Sequence, residues 1–499
     1  MINNRPYQEI EAKQPNKPPY KMGEIHPKPH AILLPYPLQG HVIPFVHLAT
    51  KLASNGFIIT FVNTESIHHQ ITKSRFQSNH HEEGGDIFSE ARKSGLDIRY
   101  ATVTDGFPLG FDRSLNHDQF FEGIVHVFPA HVDELVGKLV QSDPPVNCLV
   151  VDTFYVFSSS IAKKYNLVNI SFWTELALVF SLYYHMDLLR KNGHYDHFDK
   201  REDIITYIPG VEAIKPSDMT SYLQTDPTTI VHRIIAKAFA DVRKADFVVS
   251  NTIDELETQT ISALQKNQPF YSIGPIFSSG FPTSSVATSM WSESDCAPWL
   301  DTKPEGSVLY VSFGSYAHTS KHDIVEIAHG LVLSQVNFVW VLRPDIVSSD
   351  ETDYLPTGYD RLIEYCGLIV PWCSQISVLS HPAIGGFLTH CGWNSILESI
   401  WSNVPMICYP LLTDQFTNRK LVVEDFKIGV NLCDKRSITR EEVAEKIKRL
   451  MCGKSSNDFR KEIKKVRKTL ENALAIGGSS HKNLDRFVKD VKAKIRKNH

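Results

Sequence analysis

The stretch AILLPYPLQGHVIPFVHLATKLASNGFIITFV, residues 31–62, decides the fold. It begins with a short apolar run at residues 31–37, and a Gly-His turn follows. Apolar residues then recur with the spacing of a helix, at Val42, Phe45, Val46, Leu48, Ala49 and Leu52. After Asn55-Gly56 comes a second apolar run, residues 57–62. A strand, a helix and a second strand in this order predict a right-handed βαβ unit, because neighbouring parallel strands need a crossover connection.

The rest of the chain continues this alternation in two series. Its 499 residues exceed what one hydrophobic core usually supports, so two domains are expected. In the first half, further buried strands are predicted at 98–103, 148–151, 168–172 and 247–250. In the second half, strands are predicted at 307–313, 338–342, 368–371, 386–389 and 406–409, with helices at 321–334, 395–402, 415–426 and 440–451. The fold class is therefore α/β, with two Rossmann-like domains facing each other across a cleft, where ligands bind at the carboxyl ends of the strands.

A boundary between the two domains is expected where this pattern stops. Residues 277–292, FSSGFPTSSVATSMWS, are small and polar without periodicity, which is typical of a linker. We predict a disordered N-terminal extension at 1–28, an N-terminal domain at 29–275, a linker at 276–298, a C-terminal domain at 299–480, and a C-terminal helix at 481–499 that packs back on the N-terminal domain.

Composition narrows the class of protein. Apolar residues make up 42% of the chain and charged residues 22%, as in a soluble globular protein. A formal net charge of −4 argues against nucleic acid as a partner. The eight cysteines are scattered without a CxxC pair, which favours reduced thiols in the cytoplasm. No segment carries the roughly 18 apolar residues that span a bilayer. We expect a cytoplasmic monomer without stable membrane insertion.

The segment FLTHCGWNSILES, residues 387–399, combines several groups that bind anions. An apolar strand ends at Thr389, and a turn then opens the next helix. Free backbone N–H groups at the start of that helix, a small residue at Gly392 and nearby side-chain donors predict a seat for a diphosphate. Those donors are His390, Asn394 and Ser395. Glu398, one turn further on, can accept hydrogen bonds from a ribose.

Two further strand ends carry side chains suited to a nucleotide sugar. Trp372 follows the strand at 368–371, and its planar ring could stack on a base. Asp414 and Gln415 follow the strand at 406–409 and can bind sugar hydroxyls. Each residue alone also has an ordinary structural explanation, such as a core aromatic ring, a helix cap or a surface carboxylate.

Taken together and in order, these residues resemble the signature box of the plant family 1 UDP-glycosyltransferases. The resemblance runs through WCSQISVLSHPAIGGFLTHCGWNSILESIWSNVPMICYPLLTDQ, residues 372–415, without a gap. Elements outside the box also look like that family: PYPLQGHVIP (35–44), SFWT (171–174), IPG (208–210), SNTIDELE (250–257), SIGPI (272–276), VSFGS (311–315) and GGSS (477–480). The phrases YPLQGHVIPFVHLA and SLNHDQFFEGI most resemble family 86 of the plant enzymes.

The resemblance implies the GT-B fold and an inverting UDP-glucosyltransferase that needs neither a metal nor another cofactor. The N-terminal domain would bind the acceptor and the C-terminal domain UDP-glucose. The resemblance places Trp372 on the uracil, Gln375 and Glu398 on the ribose, His390, Asn394, Ser395 and Ser315 on the diphosphate, and Trp393, Asp414 and Gln415 on the sugar. Thr174 would reach across the cleft to the sugar or the phosphate. Glutamine at the last position of the box, Gln415 here, is associated with glucose in the family.

The acceptor must lose a proton as it attacks the anomeric carbon, and a neutral imidazole suits that task near neutral pH. His41 lies in the turn after the first strand, where an α/β domain places its active site, and the family's catalytic histidine matches it. Asp152 ends the apolar run CLVVD. By itself an aspartate there would more often cap a helix, but the resemblance implies that it orients His41 and stabilises the imidazolium.

The acceptor pocket is expected in the N-terminal domain, where aromatic side chains suit a flat or polycyclic lipophilic molecule. The candidates are Phe107, Phe120, Phe121, Phe154, Tyr155 and Tyr183. We favour a hydroxyl (or carboxyl) of a terpenoid, because this lining has few polar partners, and flavonoids or other phenolics stay open. A protein that binds UDP-sugars without catalysis is the alternative from another class, and the retained His41 and Asp152 argue against it. The histidine spacings fit no zinc motif, and the first turn lacks the GxGxxG of an NAD enzyme.

Overall fold

The computed structural model describes residues 28–77, 86–196, 201–276, 289–347, 354–433 and 437–498. Of the extension predicted at 1–28, all but Lys28 lies outside the described residues, and so does most of the predicted linker. The described residues form two parallel β-sheets with helices packed around them.

The first sheet has seven strands and the second has six. The strands are β1 (His30–Leu34), β2 (Ile58–Thr64), β3 (Ile98–Val103), β4 (Cys148–Asp152), β5 (Val168–Trp173), β6 (Phe247–Ser250), β7 (Phe270–Ser272), β8 (Val308–Ser312), β9 (Asn337–Val341), β10 (Gly367–Val370), β11 (Ile384–Thr389), β12 (Met406–Cys408) and β13 (Gly429–Asn431). The first sheet has the order β3-β2-β1-β4-β5-β6-β7, and the second has the order β10-β9-β8-β11-β12-β13. All neighbouring strands are parallel.

Helices connect the strands and cover the sheets. They are α1 (Gln39–Ser54), α2 (Glu65–Gln77), α3 (Ser89–Lys93), α4 (His117–His126), α5 (Phe128–Leu139), α6 (Ser158–Lys164), α7 (Ala177–Tyr184), α8 (Met186–Lys191), α9 (Ser221–Gln224), α10 (Ile230–Val242), α11 (Thr258–Gln265), α12 (Ala297–Leu300), α13 (Lys321–Ser334), α14 (Tyr359–Ile363), α15 (Gln375–Leu379), α16 (Trp393–Trp401), α17 (Gln415–Lys420), α18 (Arg440–Met451), α19 (Lys454–Leu474) and α20 (Ser479–Asn498). A 3-10 turn lies at Pro216–Asp218. Within the described ranges, no helix is long and apolar enough to span a membrane.

The βαβ unit predicted from residues 31–62 forms the centre of the first sheet. β1 is buried along its whole length and pairs with β2 on one side and β4 on the other. The strand order reverses between β1 and β4, so the loops that follow them diverge and open a crevice at the carboxyl edge of the sheet. This crevice is where His41 and Asp152 lie.

The second sheet repeats this arrangement. Its order reverses between β8 and β11, which pair in parallel from Val308 to Ser312. The loop after β8 carries Ser315, and the loop after β11 carries His390. The predicted donor-binding residues therefore gather at the carboxyl edge of the second sheet.

The predicted pair of parallel-sheet α/β domains is confirmed, with differences in detail. β7 and β13 are absent from the predicted strands. Each has only three residues, and polar or small residues interrupt the apolar run, at Ser272 in β7 and at Gly429 and Asn431 in β13. β12 is equally short but is predicted, because it lies in the uninterrupted apolar run 406–409. The sequence predicts one α-helix at 415–426, and this is wrong. α17 ends at Lys420, and Leu421–Asp425 form a π-helical turn in which the Phe426 N–H bonds the carbonyl of Leu421.

The last helix, α20, packs on the first sheet. It begins at Ser479, close to the start predicted for a C-terminal helix, and its Phe487 and Val491 belong to the apolar core of the N-terminal domain. The Tyr271 hydroxyl donates a 2.7 Å hydrogen bond to Asp490. Because α19 packs on α16 and α18 of the second domain, the end of the chain ties the two domains together.

Candidate active site between the two domains

His41 and Asp152 form a directly bonded pair at the carboxyl edge of the first sheet. His41 lies in the first turn of α1, and Asp152 ends β4, the neighbour of β1. The His41 Nδ1 lies 2.7 Å from the Asp152 Oδ2. A carboxylate can only accept, so Nδ1 carries the proton, and a neutral imidazole then has its free lone pair on Nε2. His41 keeps 14% of its side chain exposed, and Asp152 keeps 2%.

Thr174 completes this group from the end of β5. Its Oγ1 lies 3.2 Å from the His41 Nδ1. The Asp152 Oδ1 accepts a 3.0 Å hydrogen bond from the Phe154 N–H, which fixes the carboxylate. Both oxygens of Asp152 therefore have partners. The sequence left open that Asp152 caps a helix, but in the structure one of its oxygens bonds His41 instead.

The turn between β11 and α16 brings His390 against two glycines. A Cβ on Gly314 would lie 2.5 Å from the His390 Nε2, and one on Gly392 would lie 2.6 Å away, so any side chain at either position would displace the His390 ring. Gly314 also has a φ of +75°, which glycine adopts without strain. Burial, with the charge of Arg343 adding, lowers the pKa of His390 to about 4. Its Nδ1 has no hydrogen-bonding partner in the described structure, so a polar atom remains for a ligand.

Gln375, Ser395 and Glu398 form one hydrogen-bonded group. The Gln375 amide donates to the Ser395 Oγ at 2.9 Å and to the Glu398 Oε2 at 2.7 Å. Burial raises the pKa of Glu398 to about 7, and the hydrogen bond from Gln375 partly opposes that rise. The two residues that the sequence assigns to the ribose are thus in direct contact, although 23 positions separate them.

Trp372 is half-buried two residues after β10 and lies beside Trp291. The two ring centroids are 6.3 Å apart, and the ring planes differ by 29°. Ser294 N–H donates a 2.9 Å hydrogen bond to the Trp372 carbonyl, which holds the residues before the second sheet next to this ring. An aromatic surface of two indoles therefore lies where the sequence predicts the base.

Asp414 and Gln415 lie at the start of α17 and are both buried. Asp414 accepts from the Thr413 hydroxyl at 2.7 Å and from the Asn418 amide at 2.5 Å. The Gln415 Oε1 accepts from the N–H groups of Leu411 and Leu412 at 2.8 and 3.0 Å. Because its oxygen is engaged, Gln415 has only its NH₂ group left to offer a ligand.

The turn between β11 and α16 also contacts the N-terminal domain. The Asn394 amide donates a 2.7 Å hydrogen bond to the Gly40 carbonyl. The Trp393 indole N–H donates a 2.8 Å hydrogen bond to the Asn251 carbonyl, and the ring is 3% exposed. Trp393 is predicted to line the sugar, but its only polar side-chain atom, the indole nitrogen, is already engaged in the contact between the domains.

The same contact brings two helix N-termini together. α1 begins at Gln39 and α16 at Trp393, and no side chain caps either start. Helix N-termini carry a partial positive charge and free N–H groups, so this part of the cleft is suited to an anion.

Ser315 is half-buried in a loop that a buried arginine holds. The guanidinium of Arg343 donates to the carbonyls of Gly314 and Ala317, the latter at 2.8 Å, and to the Asp345 carboxylate at 2.9 Å. Arg343 is 1% exposed. The loop on either side of Ser315 is thereby fixed.

The predicted acceptor-pocket residues divide into two groups. In the first group, the ring centroid of Phe154 lies 5.8 Å from that of His41. The ring centroid of Phe121 lies 6.0 Å from that of Tyr36, and the Tyr36 centroid lies 5.7 Å from that of His41. The others pack further into the domain. Tyr155 is 1% exposed and donates to the Pro35 carbonyl, and Phe107, Phe120 and Tyr183 pack on other aromatic rings.

Three residues in contact with the predicted site are absent from the sequence-based prediction. Tyr36 lies within the first apolar run, where it reads as a core residue. Trp291 lies in the unpatterned stretch that is typical of a linker. Arg343 is a charged residue that directly follows the apolar run of β9. A charged residue in such a position can indicate a buried ion pair, so the sequence could have pointed to it.

Known proteins of similar sequence match nearly the whole chain. It is 61% identical to UDP-glycosyltransferase 86A1 of Arabidopsis thaliana, over 94% of this chain and 95% of that protein. It is 58% identical to UDP-glycosyltransferase 86A2 of the same plant, over 96% and 97%. It is 34% identical to the 7-deoxyloganetin glucosyltransferase of Catharanthus roseus, over 94% and 97%. The family described as UDP-glucoronosyl and UDP-glucosyl transferase matches residues 293–468.

Solved structures resemble the whole molecule. The structure of UGT2 of Phytolacca americana complexed with UDP-2fluoro-glucose and pterostilbene superimposes with a TM-score of 0.74 at 26% identity, covering 93% of this chain and 99% of that one. The crystal structure of Os79 from O. sativa in complex with UDP has a TM-score of 0.77 at 25% identity, covering 92% and 100%.

Proposed function

Because this chain belongs to the plant family 1 UDP-glycosyltransferases and has their GT-B fold, we propose that it transfers glucose from UDP-glucose to a lipophilic plant metabolite. The reaction is an inverting displacement that gives a β-glucoside. The acceptor group is a hydroxyl or a carboxyl. The donor, the acceptor and the residue roles below are all parts of this proposal.

One observation carries the proposal: the 2.7 Å bond between His41 Nδ1 and Asp152 at the carboxyl edge of the first sheet. It leaves Nε2 as the proton acceptor of an imidazole that is largely buried but still reaches the cleft, with 14% of its side chain exposed. The group of donor-binding candidates faces it from the second sheet, where Asn394 reaches Gly40, the residue before His41. Acceptor activation and donor binding therefore fall on opposite sides of one cleft.

The mechanism follows from these positions. The His41 Nε2 takes the proton of the acceptor as its oxygen attacks the anomeric carbon of glucose. Asp152 stabilises the imidazolium that results. The bond from the anomeric carbon to the phosphate oxygen breaks, and UDP leaves with that electron pair. The uncapped N-termini of α16 and α1 and the donors around His390 stabilise the diphosphate, and attack from the opposite face inverts the configuration from α to β.

Glucose as the sugar is supported by Gln415. Its side chain is buried and its oxygen is fixed by two backbone N–H groups, so the NH₂ group points in one direction only. A fixed donor next to Asp414, which offers carboxylate oxygens, suits hydroxyls of a neutral hexose. Glutamine at this position of the box is the residue associated with glucose.

A terpenoid acceptor is supported by the surface beside His41 and by relatives. The rings of Tyr36, Phe121 and Phe154 form an apolar wall next to the base. Two relatives, from Catharanthus roseus and Gardenia jasminoides, are named 7-deoxyloganetin glucosyltransferase, at 34% and 35% identity. Phenolic acceptors are the second candidate class, because such rings also stack on aromatic ligands.

The experiment is transfer by the purified protein from UDP-glucose to a panel of terpenoid alcohols, terpenoid acids, flavonoids and simple phenols. Glucosides are detected by mass spectrometry, and UDP release is followed with the same samples. We expect a glucoside with one acceptor class and UDP release that depends on that acceptor. Binding of UDP-glucose without glucoside or UDP across the panel would instead identify a non-catalytic UDP-sugar-binding protein.

A further inference from the structure

Thr413, the residue before Asp414, has an unusual backbone conformation. Its φ is +58°, in the left-handed region, where the Cβ of an L-residue crowds the following carbonyl oxygen. A β-branched residue such as threonine rarely adopts this conformation, so contacts around it must hold it there. The conformation matters for the site, because two residues of the proposed sugar site, Asp414 and Gln415, follow directly.

The contacts that hold Thr413 come from the opposite domain. The Thr413 N–H donates a 2.8 Å hydrogen bond to the Ser221 Oγ, and the Ser221 N–H donates a 2.9 Å hydrogen bond to the Thr413 carbonyl. The N–H and the carbonyl of a residue belong to the two peptide planes whose rotations φ and ψ describe. Because Ser221 bonds both groups, it fixes the conformation of Thr413.

The conformation of Thr413 in turn determines where the next two side chains lie. The Thr413 hydroxyl donates to the Asp414 Oδ1 at 2.7 Å. The Gln415 Oε1 accepts from the N–H groups of Leu411 and Leu412 at 2.8 and 3.0 Å. Since Gln415 and its two partners lie on either side of Thr413 in the chain, a rotation at Thr413 would break these bonds.

Other contacts beside this turn do not need the Ser221 hydroxyl. The Thr417 hydroxyl donates to the Asp218 carbonyl at 2.8 Å, and Arg419 bonds the Asp218 carboxylate. These bonds hold α17 itself and not the turn before it. Removal of the Ser221 hydroxyl should therefore release Thr413 and leave the contact between the domains in place.

We infer that Ser221 is a positioning residue, which holds Thr413 in its left-handed conformation from the opposite domain and thereby fixes Asp414 and Gln415 for the sugar. The inference rests on the proposed function for the roles of Asp414 and Gln415. The sugar site is then complete only while the two domains are together, because the N-terminal domain supplies this hold on the turn.

The first test measures binding by calorimetry without an acceptor. Ser221→Ala removes the hydroxyl that accepts from the Thr413 N–H, and Ser221→Thr keeps a hydroxyl there. We expect the affinity for UDP-glucose to fall about 10-fold in Ser221→Ala and to stay within about threefold in Ser221→Thr, with the affinity for UDP unchanged in both. Ser217→Ala, at an exposed serine of the same segment, is the matched control and should bind like the wild type. Equal losses of UDP and UDP-glucose affinity would contradict the inference.

A second substitution tests whether Ser221 acts on the backbone conformation. Asparagine adopts the left-handed region more readily than threonine does, so a Thr413→Asn protein needs less support there. In that protein, Ser221→Ala should lower the UDP-glucose affinity by about threefold instead of about 10-fold. A loss of the same size in both backgrounds would show that Ser221 does not hold the conformation of residue 413.

Hydrogen exchange in the ligand-free protein separates this inference from the proposed function. In Ser221→Ala, the backbone N–H groups of residues 411–415 should exchange about 10-fold faster than in the wild type, and those of α16 should be unchanged. No change at residues 411–415 would contradict the inference even if the protein is an active glucosyltransferase. Faster exchange there in a protein that transfers no glucose would support the hold on Thr413 and contradict the proposed function.

Discussion

The pairing of His41 with Asp152 is the residue-scale feature on which the proposed transfer depends. Nothing in the turn around His41 selects between its two ring nitrogens. The 2.7 Å bond to Asp152 does, because it places the proton on Nδ1 and leaves Nε2 free. Thr174 Oγ1, 3.2 Å from the same Nδ1, reinforces the orientation. In the proposed mechanism, Asp152 therefore influences proton transfer through His41, without contacting the acceptor itself.

A residue-scale prediction follows for Asp152→Asn. The amide can still occupy the space, but it can present an N–H to His41 and favour the wrong tautomer, and it supplies no negative charge for the imidazolium. We expect kcat to fall by about 1,000-fold or more, with KM for UDP-glucose nearly unchanged, in steady-state kinetics with a saturating acceptor.

His41→Ala is the companion variant. It should lose transfer by several orders of magnitude and keep its affinity for UDP, measured by calorimetry. If the His41→Ala protein transfers glucose at nearly the wild-type rate, the base is a different group.

The control for Asp152→Asn is Asp246→Asn. The Asp246 carboxylate accepts a hydrogen bond from the Asn169 N–H near the start of β5, at the opposite end of the strand from Thr174. This variant tests whether replacing a carboxylate by an amide affects transfer by itself.

At the scale of elements, the loop between β3 and α4 is fixed by one ion pair. The Arg113 guanidinium donates to both oxygens of Asp105, at 2.7 and 2.9 Å, and to the Phe111 carbonyl at 2.8 Å. Both side chains are largely buried, at 13% and 2% exposure. This loop leads into α4, whose Phe121 contacts Tyr36 beside His41.

We therefore predict that Arg113→Met loosens the acceptor side of the site. Removing one partner of a buried pair leaves the Asp105 charge uncompensated, at a cost of about 3 kcal/mol, and the loop should move in response. KM for the acceptor should rise about 10-fold while KM for UDP-glucose stays the same.

The control for Arg113→Met is Arg92→Met. Arg92 pairs with Asp86 at 2.9 Å near the protein surface, so its loss should cost little. An acceptor KM that changes equally in the two variants would show that the Asp105–Arg113 pair does not govern the acceptor side.

At the scale of the whole molecule, the two domains are joined away from the catalytic pair as well as at it. Ser221 N–H donates to the Thr413 carbonyl at 2.9 Å, and Thr413 N–H donates to the Ser221 Oγ at 2.8 Å. The Thr417 hydroxyl donates to the Asp218 carbonyl at 2.8 Å, and Arg419 bonds the Asp218 carboxylate. α17, which begins with Gln415, is therefore held by both domains.

Acid stability of the molecule is predicted to depend on a buried histidine in α1. Burial, with the charge of Lys51 adding, lowers the pKa of His47 to about 4 from an ordinary value of 6.5. As the pH falls from 6.5 towards 4, the unfolded chain takes up a proton here that the folded chain does not. The free energy of unfolding should therefore fall by up to about 1.4 kcal/mol per pH unit from this group, with no effect above pH 6.5.

The comparison is between the wild type and His47→Leu, in urea unfolding at the two ends of a range from about pH 6.5 to about pH 4.5. The wild type should lose about 2 kcal/mol more than His47→Leu over this range. His69→Leu, at an exposed histidine of α2, should lose as much as the wild type. An equal acid loss in all three proteins would exclude His47 as a source of acid sensitivity.

Much of the fold was predictable because its determinants are local. α13 and α18 have the predicted bounds, since each begins with a side-chain cap, Ser320 or Thr439, and then follows the helical period. β7 and β13 were not predicted, because each is only three residues long and its apolar run is interrupted, whereas the equally short β12 lies in an uninterrupted apolar run. The π-helical turn after α17 was not predicted either, because a helical pattern does not distinguish an i→i+4 bond from an i→i+5 bond.

The sequence predicts which residues lie near the candidate site, but it does not predict which atoms those residues bond. The groups of the signature box lie on strand ends and one helix start, so the order of residues along the chain already brings them to one edge of a sheet. Tyr155 and Trp393 show the limit of that reasoning. Each is a predicted site residue, but its polar side-chain atom donates a hydrogen bond to a backbone carbonyl instead. Tyr155 bonds the carbonyl of Pro35 and Trp393 bonds that of Asn251, and only the packing of the folded chain brings these carbonyls close.

The sequence by itself determined the family, most of the strands and helices in their order, and the strand ends at which the candidate site residues lie, because period, caps and turn residues act within a few positions of the chain. Only the tertiary structure decided that His41 meets Asp152, that Asn394 reaches Gly40 from the other domain, and that the first N–H groups of α7 donate to Glu257, about 80 residues away. Those partners are set by the sheet order and by the contact between domains. A hydrogen bond requires two atoms to meet within about 3 Å, and separation along the chain does not specify that distance.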